Sequence, residues 1–211
     1  MYQKIKLQSK KNEVYRIIDN EGSYILKEFS NVDSMNKELE LLQLLNKKGL
    51  STPNIIKIEE MNLCLEDLGD ITLLDYYESM ERINSHDCEV TIRKLCKWMK
   101  TYYSITSIYF NDSYIISDVN FRNFIIKEND IYGIDFEDSR VGNIEIDAGK
   151  IAAYGLTYTP MMTKWKIDFT NKFIDIFSIE LNINKESIVQ ECNKELEKIK
   201  IRRNIGKNLR I

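Results

Sequence analysis

Two carboxylates and one amide, at a spacing that suits phosphoryl transfer, are the residues of this chain best suited to chemistry. Asn123 follows Asp118 by five residues, and Asp135 lies twelve residues beyond Asn123. Phosphoryl transfer needs a carboxylate that receives the proton of the acceptor hydroxyl and oxygen ligands that hold Mg²⁺ against the nucleotide phosphates. The spacing therefore predicts Asp118 as the catalytic base, with Asn123 and Asp135 as the metal ligands.

A β-hairpin is predicted between the two proposed metal ligands. Residues 124–126 and 131–134 are largely apolar, and they flank the polar residues 127–130. An apolar, polar, apolar order of this length is typical of two strands joined by a turn. Such a hairpin would return Asp135 to the neighbourhood of Asn123.

The N-terminal third predicts a three-stranded antiparallel meander. Residues 4–7, 13–18 and 23–27 are rich in β-formers, and residues 19–22 make a polar turn between the last two segments. Lys27 ends the third strand, where kinases place the lysine that contacts the α- and β-phosphates of ATP. A lysine on an edge strand can also be simply solvated, so this role requires a partner for Lys27.

The next predicted helix supplies that partner. It covers residues 34–48, with Asp33 or Ser34 as the N-cap and Gly49 at its end. At about 100° per residue Glu38 falls within the apolar face, whereas Glu40 points to the opposite side. A buried charge must be paired, and the ion pair between lysine and glutamate of a kinase N-lobe makes Lys27 the expected partner of Glu38. The alternative is that the Glu38 side chain extends past the helix end to solvent. The apolar positions of the helix are Met35, Leu39, Leu41, Leu42, Leu44 and Leu45.

The remaining elements predict an α+β chain. Residues 51–58 and 62–70 suggest two further strands, the second ending in a polar turn. Helical patterns then dominate, at residues 72–82, 87–109, 148–158, 161–181 and 185–203. Strands followed by helices favour an antiparallel sheet with one helix, followed by a mostly helical part.

Three segments resemble the aminoglycoside phosphotransferase and choline kinase branch of the protein-kinase-like superfamily. They are Asn12-Glu13-Val14-Tyr15-Arg16, Tyr24-Ile25-Leu26-Lys27 and Leu65-Glu66-Asp67-Leu68-Gly69-Asp70, and the resemblance extends over roughly residues 5–155. It implies a two-lobed protein-kinase-like fold, with an N-lobe at residues 1–69 and a short, mostly helical C-lobe at residues 70–211. It also implies ATP and Mg²⁺ as cofactors.

The resemblance implies further site residues. Glu66, Asp67 and Leu68 would form the hinge whose backbone binds adenine, and Ser9 and Asn12 would lie in the loop that covers the phosphates. The segment 142–147 is similar to the G-D-x-x-x-D motif of the branch, in which the final aspartate, here Asp147, supports the catalytic loop.

The chain also departs from the family pattern. Ile116-Ser117 stands where the family usually has His-Gly before the catalytic aspartate, and the loop 8–12 contains no glycine. Losing the histidine removes a structural support but leaves Asp118, Asn123 and Asp135 in place. The Asp-Phe-Glu triplet at residues 135–137 is similar to that of small-molecule kinases and favours a small-molecule acceptor.

Composition is that of a globular chain. With 211 residues and 43% hydrophobic content the chain can bury a full core, and its formal charge of −3 argues against nucleic acid as a main partner. A locally basic tail at residues 194–210 is predicted to be a solvated helix face, and His86 a surface loop residue. The chain shows no long apolar segment and no signal peptide, which predicts a cytoplasmic protein that binds no membrane. No obligate protein partner is indicated.

The four cysteines have no spacing typical of a metal site. Cys64, Cys88, Cys96 and Cys192 are therefore expected to be reduced and mostly buried.

The last helices are expected to frame the acceptor pocket. Their tyrosines, methionines and tryptophan either line that pocket or pack the core of a short lobe, and the sequence leaves both options open. The side chains concerned are Tyr154, Tyr158, Met161, Met162 and Trp165.

Three functions remain compatible with the sequence. The first is an ATP- and Mg²⁺-dependent kinase that phosphorylates a hydroxyl of a sugar, an amino alcohol or an aminoglycoside-like compound. The second is a compact atypical protein Ser/Thr kinase, which the short C-lobe favours and the Asp-Phe-Glu triplet does not. The third is a nucleotide-binding pseudokinase scaffold, suggested by Ile116-Ser117 and the glycine-free loop.

Overall fold

The computed structural model describes residues 2–204, which form two compact units. The first unit contains the chain up to Asp70 together with Ile125–Asp138, and the second contains Ile71–Phe124 and the chain from Ser139 onwards. The units differ from the predicted lobes in the segment 125–138, which belongs to the first unit. Residues 205–211, the end of the predicted C-lobe and of the predicted basic tail, lie outside the described residues.

The first unit is built on a five-stranded antiparallel sheet. Its strands are β1 (Gln3–Lys6), β2 (Glu13–Ile18), β3 (Ser23–Glu28), β4 (Ile55–Glu59) and β5 (Asn62–Glu66), in the order β1-β2-β3-β5-β4. The predicted meander is confirmed. Lys27 lies opposite Val14 of β2 and Leu63 of β5, so the lysine is on the central strand and not on an edge.

The fourth strand begins later than predicted, at Ile55 instead of residue 51. Pro53 has no backbone N–H for a strand ladder, and the carbonyl of Ser51 instead accepts a hydrogen bond from the amide of Gly133 at 3.1 Å. β5 ends at Glu66 because Asp67 Oδ1 accepts a hydrogen bond from the amide of Gly69 and closes a turn.

Helix α1 (Val32–Lys47) begins two residues earlier than predicted, and its N-cap is Asn31. The side-chain oxygen of Asn31 accepts hydrogen bonds from the amides of Asp33 (2.8 Å) and Ser34 (3.1 Å), so the predicted caps are the residues being capped. Gly49 follows the helix with φ of 74°, a conformation that glycine adopts without strain. The buried face confirms the predicted phase; it comprises Met35, Glu38, Leu41, Leu42, Leu44 and Leu45.

The second unit is mainly helical. Its helices are α2 (Leu73–Arg82), α3 (Glu89–Phe110), α4 (Ile144–Thr157), α5 (Lys164–Leu181) and α6 (Lys185–Arg202). The start of α4 was predicted four residues too late, because the apolar pattern only becomes clear at Ala148. Its first turn contains Glu145 and Asp147, whose negative charges suit a helix N-terminus. Gly149 lets α4 approach α6 closely, since a Cβ there would lie 2.6 Å from the backbone nitrogen of Cys192.

Four short strands and a 3₁₀ turn connect α3 to α4. The strands are β6 (Tyr114–Ile115), β7 (Phe124–Lys127), β8 (Asp130–Gly133) and β9 (Arg140–Val141), and Phe121–Asn123 forms the 3₁₀ turn. β7 pairs with β8, which confirms the predicted hairpin, and β6 pairs with β9.

Aromatic side chains dominate the core of the second unit. Trp98 is 5% exposed and stacks on Tyr102 with 5.8 Å between ring centroids, so it packs the core as expected. The four cysteines are buried and free, and His86 is exposed, both as predicted. Within residues 2–204 no helix is both long and apolar enough to cross a membrane.

Candidate active site

The ammonium group of Lys27 is surrounded by carboxylates of the first unit. Lys27 is 7% exposed, and its Nζ lies 2.7 Å from Asp135 Oδ1, 3.4 Å from Glu137 Oε2 and 3.7 Å from Glu38 Oε2. The predicted ion pair with Glu38 is therefore present. The shortest contact, however, is with Asp135, one of the two predicted metal ligands.

Glu38 also holds the backbone next to Asp135. Its side chain is almost fully buried on the inner face of α1, and Oε2 accepts a hydrogen bond from the amide of Phe136 at 2.6 Å. Glu40 is exposed on the other side of the helix, as predicted. One buried carboxylate thus positions both Lys27 and the segment that carries Asp135.

Burial and charge oppose each other in this cluster. Burial raises the pKa of Glu38 above its ordinary value, although the nearby ammonium of Lys27 acts in the opposite direction. Burial would lower the pKa of Lys27, but the carboxylates of Glu38, Asp135 and Glu137 outweigh it and raise that pKa. Lys27 therefore keeps its positive charge at neutral pH.

Glu137 is a site residue that the sequence did not assign. It is 6% exposed, and Oε2 accepts a hydrogen bond from Asn12 Nδ2 at 2.5 Å in addition to its contact with Lys27. The pairing supports the loop that contains Asn12, which lacks glycine. The available signal was its position two residues after Asp135, which places a second acidic side chain in the same short segment.

The loop predicted to cover the phosphates is held by side chains. Asn12 is buried and bonded to Glu137, and Lys11 forms an ion pair with Asp138. Ser9 is exposed. Asn12 thus contacts the Lys27 cluster through Glu137, whereas no contact with that cluster is described for Ser9 among residues 2–204.

Asp135 has the geometry of a potential metal ligand. Its φ is 67°, in the left-handed region that aspartate tolerates better than most residues, and its side chain is 40% exposed. Oδ1 accepts a hydrogen bond from Lys27, whereas no hydrogen bond to Oδ2 is found in the described part of the chain. A carboxylate oxygen of this kind is a hard donor that suits Mg²⁺.

The hinge side chains are engaged in structural contacts. Glu66 Oε1 accepts from Lys127 Nζ at 2.6 Å and Oε2 from Asn54 Nδ2 at 2.7 Å, while the Glu66 amide donates to the Asn54 carbonyl. The carboxylate of Asp67 pairs with Arg16, with 2.7 Å between Nε and Oδ2. Leu68 is buried, and within residues 2–204 no hydrogen bond occupies the backbone of Asp67 or Leu68. Those two peptide groups remain free for the predicted adenine contact.

In the second unit, Asn123 is bonded to the loop that carries Asp118. Asn123 Nδ2 donates to the Asp118 carbonyl at 2.8 Å, and the Asn123 amide donates to the Asn120 carbonyl at 3.1 Å. Asn120 in turn accepts from the amide of Arg122 through its side-chain oxygen. In this orientation Asn123 Oδ1 has no hydrogen-bond donor among the described residues. It is thus a second hard oxygen that suits a divalent cation.

Asp147 supports the chain before Asp118. It is fully buried, and its two oxygens accept hydrogen bonds from the amides of Ile116 (2.8 Å) and Ser117 (3.0 Å). The hydroxyl of Tyr103 donates a third hydrogen bond at 3.1 Å. Burial raises the pKa of Asp147 to about 6, although the amides of Ile116 and Ser117 act against this shift. The supporting role implied by the resemblance is therefore present in the geometry.

The backbone conformation of Ser117 explains why the family usually has glycine at this position. Its φ is 70°, a left-handed conformation that costs any residue other than glycine about 1–3 kcal/mol. The side chain gains a compensating contact, because Ser117 Oγ accepts a hydrogen bond from Arg140 Nε at 3.0 Å. The carbonyl of Ser117 also accepts a hydrogen bond from Lys150 Nζ. The His-Gly departure is thus partly offset by side chains of β9 and α4.

The residues predicted to line an acceptor pocket divide into two groups. Tyr158 and Trp165 are each 5% exposed, and Trp165 Nε1 donates to the Ser85 carbonyl at 2.8 Å, so both belong to the core. Tyr154 and Met162 are half-buried, and Met161 is exposed.

Each unit thus groups part of the predicted site. The first groups Lys27, Glu38 and Asp135, and the second groups Asp118 and Asn123. Among residues 2–204 no group of three or more His, Cys, Asp or Glu side chains is arranged to hold a metal by itself. A metal shared by Asn123 and Asp135 stays a prediction.

Structural comparison adds information that sequence comparison does not. No protein-family model and no curated protein sequence matches the chain. The solved structure of amicoumacin kinase hAmiN in complex with AMP-PNP, Ca²⁺ and Ami is similar with a TM-score of 0.56 at 14% identity, over 84% of this chain and 72% of that one. A Plasmodium vivax ethanolamine kinase is similar with a TM-score of 0.55 at 12% identity, over 93% and 72%.

The fold is protein-kinase-like. The likeness to these two proteins confirms the predicted fold class and agrees with the resemblance to the aminoglycoside phosphotransferase and choline kinase branch.

Proposed function

We propose that this protein is an ATP- and Mg²⁺-dependent phosphotransferase that moves the γ-phosphoryl group of ATP to a hydroxyl of a small molecule. The observation that carries the proposal is the buried Lys27, held by Glu38 and Asp135 at 3.7 Å and 2.7 Å. Burying charged groups carries a large desolvation cost, and clusters of buried ionisable groups with perturbed pKa values are typical of functional sites. A kinase uses such a lysine for the phosphates and such an aspartate for the metal.

Nucleotide binding is assigned to the first unit. Lys27 would bind the α- and β-phosphates, with Ser9 and Asn12 in the loop above them, and the backbone of Glu66, Asp67 and Leu68 would bind adenine. The free peptide groups of Asp67 and Leu68 support this assignment. Because the Glu66 amide is already bonded to Asn54, Glu66 can contribute only through its carbonyl.

The metal is assigned to Asn123 Oδ1 and Asp135 Oδ2, the two oxygens without a donor in the described part of the chain. Bound there, Mg²⁺ would neutralise charge on the phosphates as the phosphoryl group is transferred. The proposal thus requires that Asp135 of the first unit and Asn123 of the second act on the same nucleotide.

Asp118 is assigned as the catalytic base that accepts the proton of the acceptor hydroxyl. Its carboxylate would orient the acceptor hydroxyl and take its proton as the new P–O bond forms, so most of the rate enhancement comes from positioning and charge stabilisation. Asp147 accepts hydrogen bonds from the amides of Ile116 and Ser117 and so holds the backbone immediately before Asp118. The small-molecule acceptor is supported by the Asp-Phe-Glu triplet and by the structural likeness to an amicoumacin kinase and an ethanolamine kinase. We place the reaction in the cytoplasm, where ATP is available.

A screen with a matched control tests this function. Purified protein, ATP and Mg²⁺ are incubated with a pooled library of sugars, amino alcohols and antibiotics, and mass spectrometry detects a gain of one phosphate. Asp118→Asn should abolish transfer, whereas Asp112→Asn, the same change at an exposed loop aspartate, should leave it intact.

The outcomes separate the three candidate functions. Phosphate appearing on added protein and on no small molecule would indicate a protein kinase. Nucleotide binding without Mg²⁺-dependent turnover on any acceptor would indicate a scaffold and contradict the proposal.

A further inference from the structure

Three arginines of the second unit gather at the C-terminal end of α4. Arg122 follows Asp118 by four residues, and its guanidinium lies 5.5 Å from the ring centroid of Tyr158. Arg203 Nη1 donates to the carbonyl of Thr157 at 2.7 Å, and Arg202 is the last residue of α6. A residue of the Asp118 loop and the end of α6 therefore meet at the same end of α4.

Tyr158, which follows the last residue of α4, connects this cluster to the loop that carries Asp118. The hydroxyl of Tyr158 accepts a hydrogen bond from the Phe121 amide at 3.2 Å, and the rings of Phe121 and Tyr158 stack with 5.7 Å between centroids. Tyr154 stacks on Tyr158 with 6.4 Å between centroids. These contacts hold the part of the Asp118 loop that contains Arg122 against the end of α4.

Electrostatic effects on the two tyrosines agree with this arrangement. Burial raises the pKa of Tyr154, the guanidinium of Arg202 lowers it, and the carboxylates of Glu195 and Asp118 raise it further. Burial likewise raises the pKa of Tyr158, and the cations Arg122 and Arg203 act against that shift. The charges of Asp118 and Arg202 thus both act on Tyr154, and those of Arg122 and Arg203 both act on Tyr158.

Two of the three guanidinium groups have no carboxylate partner among residues 2–204. Arg202 is 3.7 Å from Glu195, which also pairs with Lys198. Arg122 and Arg203 are exposed, and neither forms an ion pair with any residue in the range 2–204. Lys150 adds a further cation, bonded to the Ser117 carbonyl.

The charge beside Asp118 indicates the class of acceptor. A cationic amino alcohol or aminoglycoside would be repelled by the guanidinium groups of Arg122 and Arg203, whereas an anion would be attracted. Arginine binds phosphate and carboxylate through paired, charge-assisted hydrogen bonds. We propose that the acceptor carries an anionic group, a phosphate or a carboxylate, that Arg122 and Arg203 bind while its hydroxyl meets Asp118.

This inference rests on the proposed phosphotransferase function, and it narrows that function from small molecules in general to hydroxy compounds with a negative charge. It assigns Arg122 and Arg203 as residues that determine specificity.

Matched acceptor pairs test the inference by transfer. The pairs differ in one anionic group: glucose against glucose 6-phosphate, glycerol against glycerate, and ethanolamine against serine. We expect transfer only to the members that carry a phosphate or a carboxylate, with KM raised about 10- to 100-fold by Arg122→Gln or Arg203→Gln and partly restored by Arg122→Lys. Arg82→Gln, at an exposed arginine that ends α2, is the control and should leave KM unchanged.

Titration calorimetry with inorganic phosphate tests anion binding without turnover. Phosphate binding should be lost in the double variant Arg122→Gln/Arg203→Gln and kept in Lys27→Met, which separates this site from the nucleotide site. Circular dichroism confirms that each variant is folded.

The two assays distinguish the possible failures. Transfer to neutral or cationic compounds that the double variant does not affect would overturn the anionic acceptor and leave the phosphotransferase standing. Arginine-dependent phosphate binding without transfer to any compound would support the anion site and reject the phosphotransferase. Phosphate binding unchanged in the double variant, with no arginine effect on transfer, would overturn the inference whatever the activity.

Discussion

Replacing Glu38 by glutamine tests the central contact of the first unit. At 3.7 Å the Glu38 and Lys27 charges attract each other by about 4 kcal/mol at an effective dielectric constant of about 20. Most of this is offset by the cost of burying the carboxylate. Because Lys27 keeps Asp135 and Glu137, we expect Glu38→Gln to lower the free energy of unfolding by only about 1–2 kcal/mol.

The loss of activity should be larger than this stability change suggests. Glutamine retains an acceptor for the Phe136 amide but no charge to hold Lys27, so we expect kcat/KM for ATP to fall about 10- to 100-fold. Glu38→Ala also leaves the Phe136 amide without an acceptor, which should cost about 1–3 kcal/mol more in unfolding free energy. The comparison separates the role of the charge from that of the hydrogen bond.

Chemical denaturation and steady-state kinetics measure both quantities. Glu40→Gln is the matched control: the same substitution two residues away, on the exposed side of α1, should change neither. If Glu40→Gln reduced kcat/KM and Glu38→Gln did not, the assignment of Lys27 to the phosphates would be wrong, since its buried partner would be dispensable.

Three further predictions concern other parts of the site. Asp135→Asn should cut Mg²⁺-dependent turnover about 100-fold or more in a magnesium titration. The control Asp130→Asn, at an exposed residue of the preceding strand β8, should not change turnover. Near-normal turnover of Asp135→Asn at low Mg²⁺ would reject the metal assignment. Ser117→Ala and Ser117→Gly both lose the Arg140 contact, but only the alanine variant keeps the left-handed backbone strain. In urea denaturation Ser117→Ala should therefore be less stable than Ser117→Gly by about 1 kcal/mol. Equal stabilities would mean that the backbone at this position is not strained. The folded-state pKa of Asp147, about 6, lies above the ordinary 3.8, so its stabilising contribution is complete below pH about 4 and lost as pH rises through about 6, a change of about 3 kcal/mol. Asp147→Asn should remove this slope from the unfolding free energy between pH about 4 and 6, and a slope identical to that of the wild type would contradict the assignment.

Much of the fold was predictable because it depends on local patterns. The alternation in β1 to β3, the phase of α1 and the hairpin of β7 and β8 each follow from residues a few positions apart. The errors occurred at element ends, where a contact outside the pattern decides. Asn31 caps α1 before the apolar pattern begins, and the first turn of α4 carries the acid that binds the Ile116 and Ser117 amides.

The site was only partly predictable for the same reason. The helical phase alone placed Glu38 on a buried face, which led to Lys27 as its partner. The additional pairing of Lys27 with Asp135 joins residues 108 positions apart. The position of Glu137 two residues after Asp135 did not show that its carboxylate would turn inward to accept a hydrogen bond from Asn12.

The sequence by itself determined which groups can do chemistry, because the identity and spacing of Asp118, Asn123 and Asp135 are properties of the chain. The tertiary structure decided which groups share an environment. It surrounded Lys27 with carboxylates, gave Ser117 a left-handed backbone, and brought Arg203, after the end of α6, to the Thr157 carbonyl at the end of α4. Contacts of this kind depend on how distant elements pack, and burial and charge then set the pKa of each group.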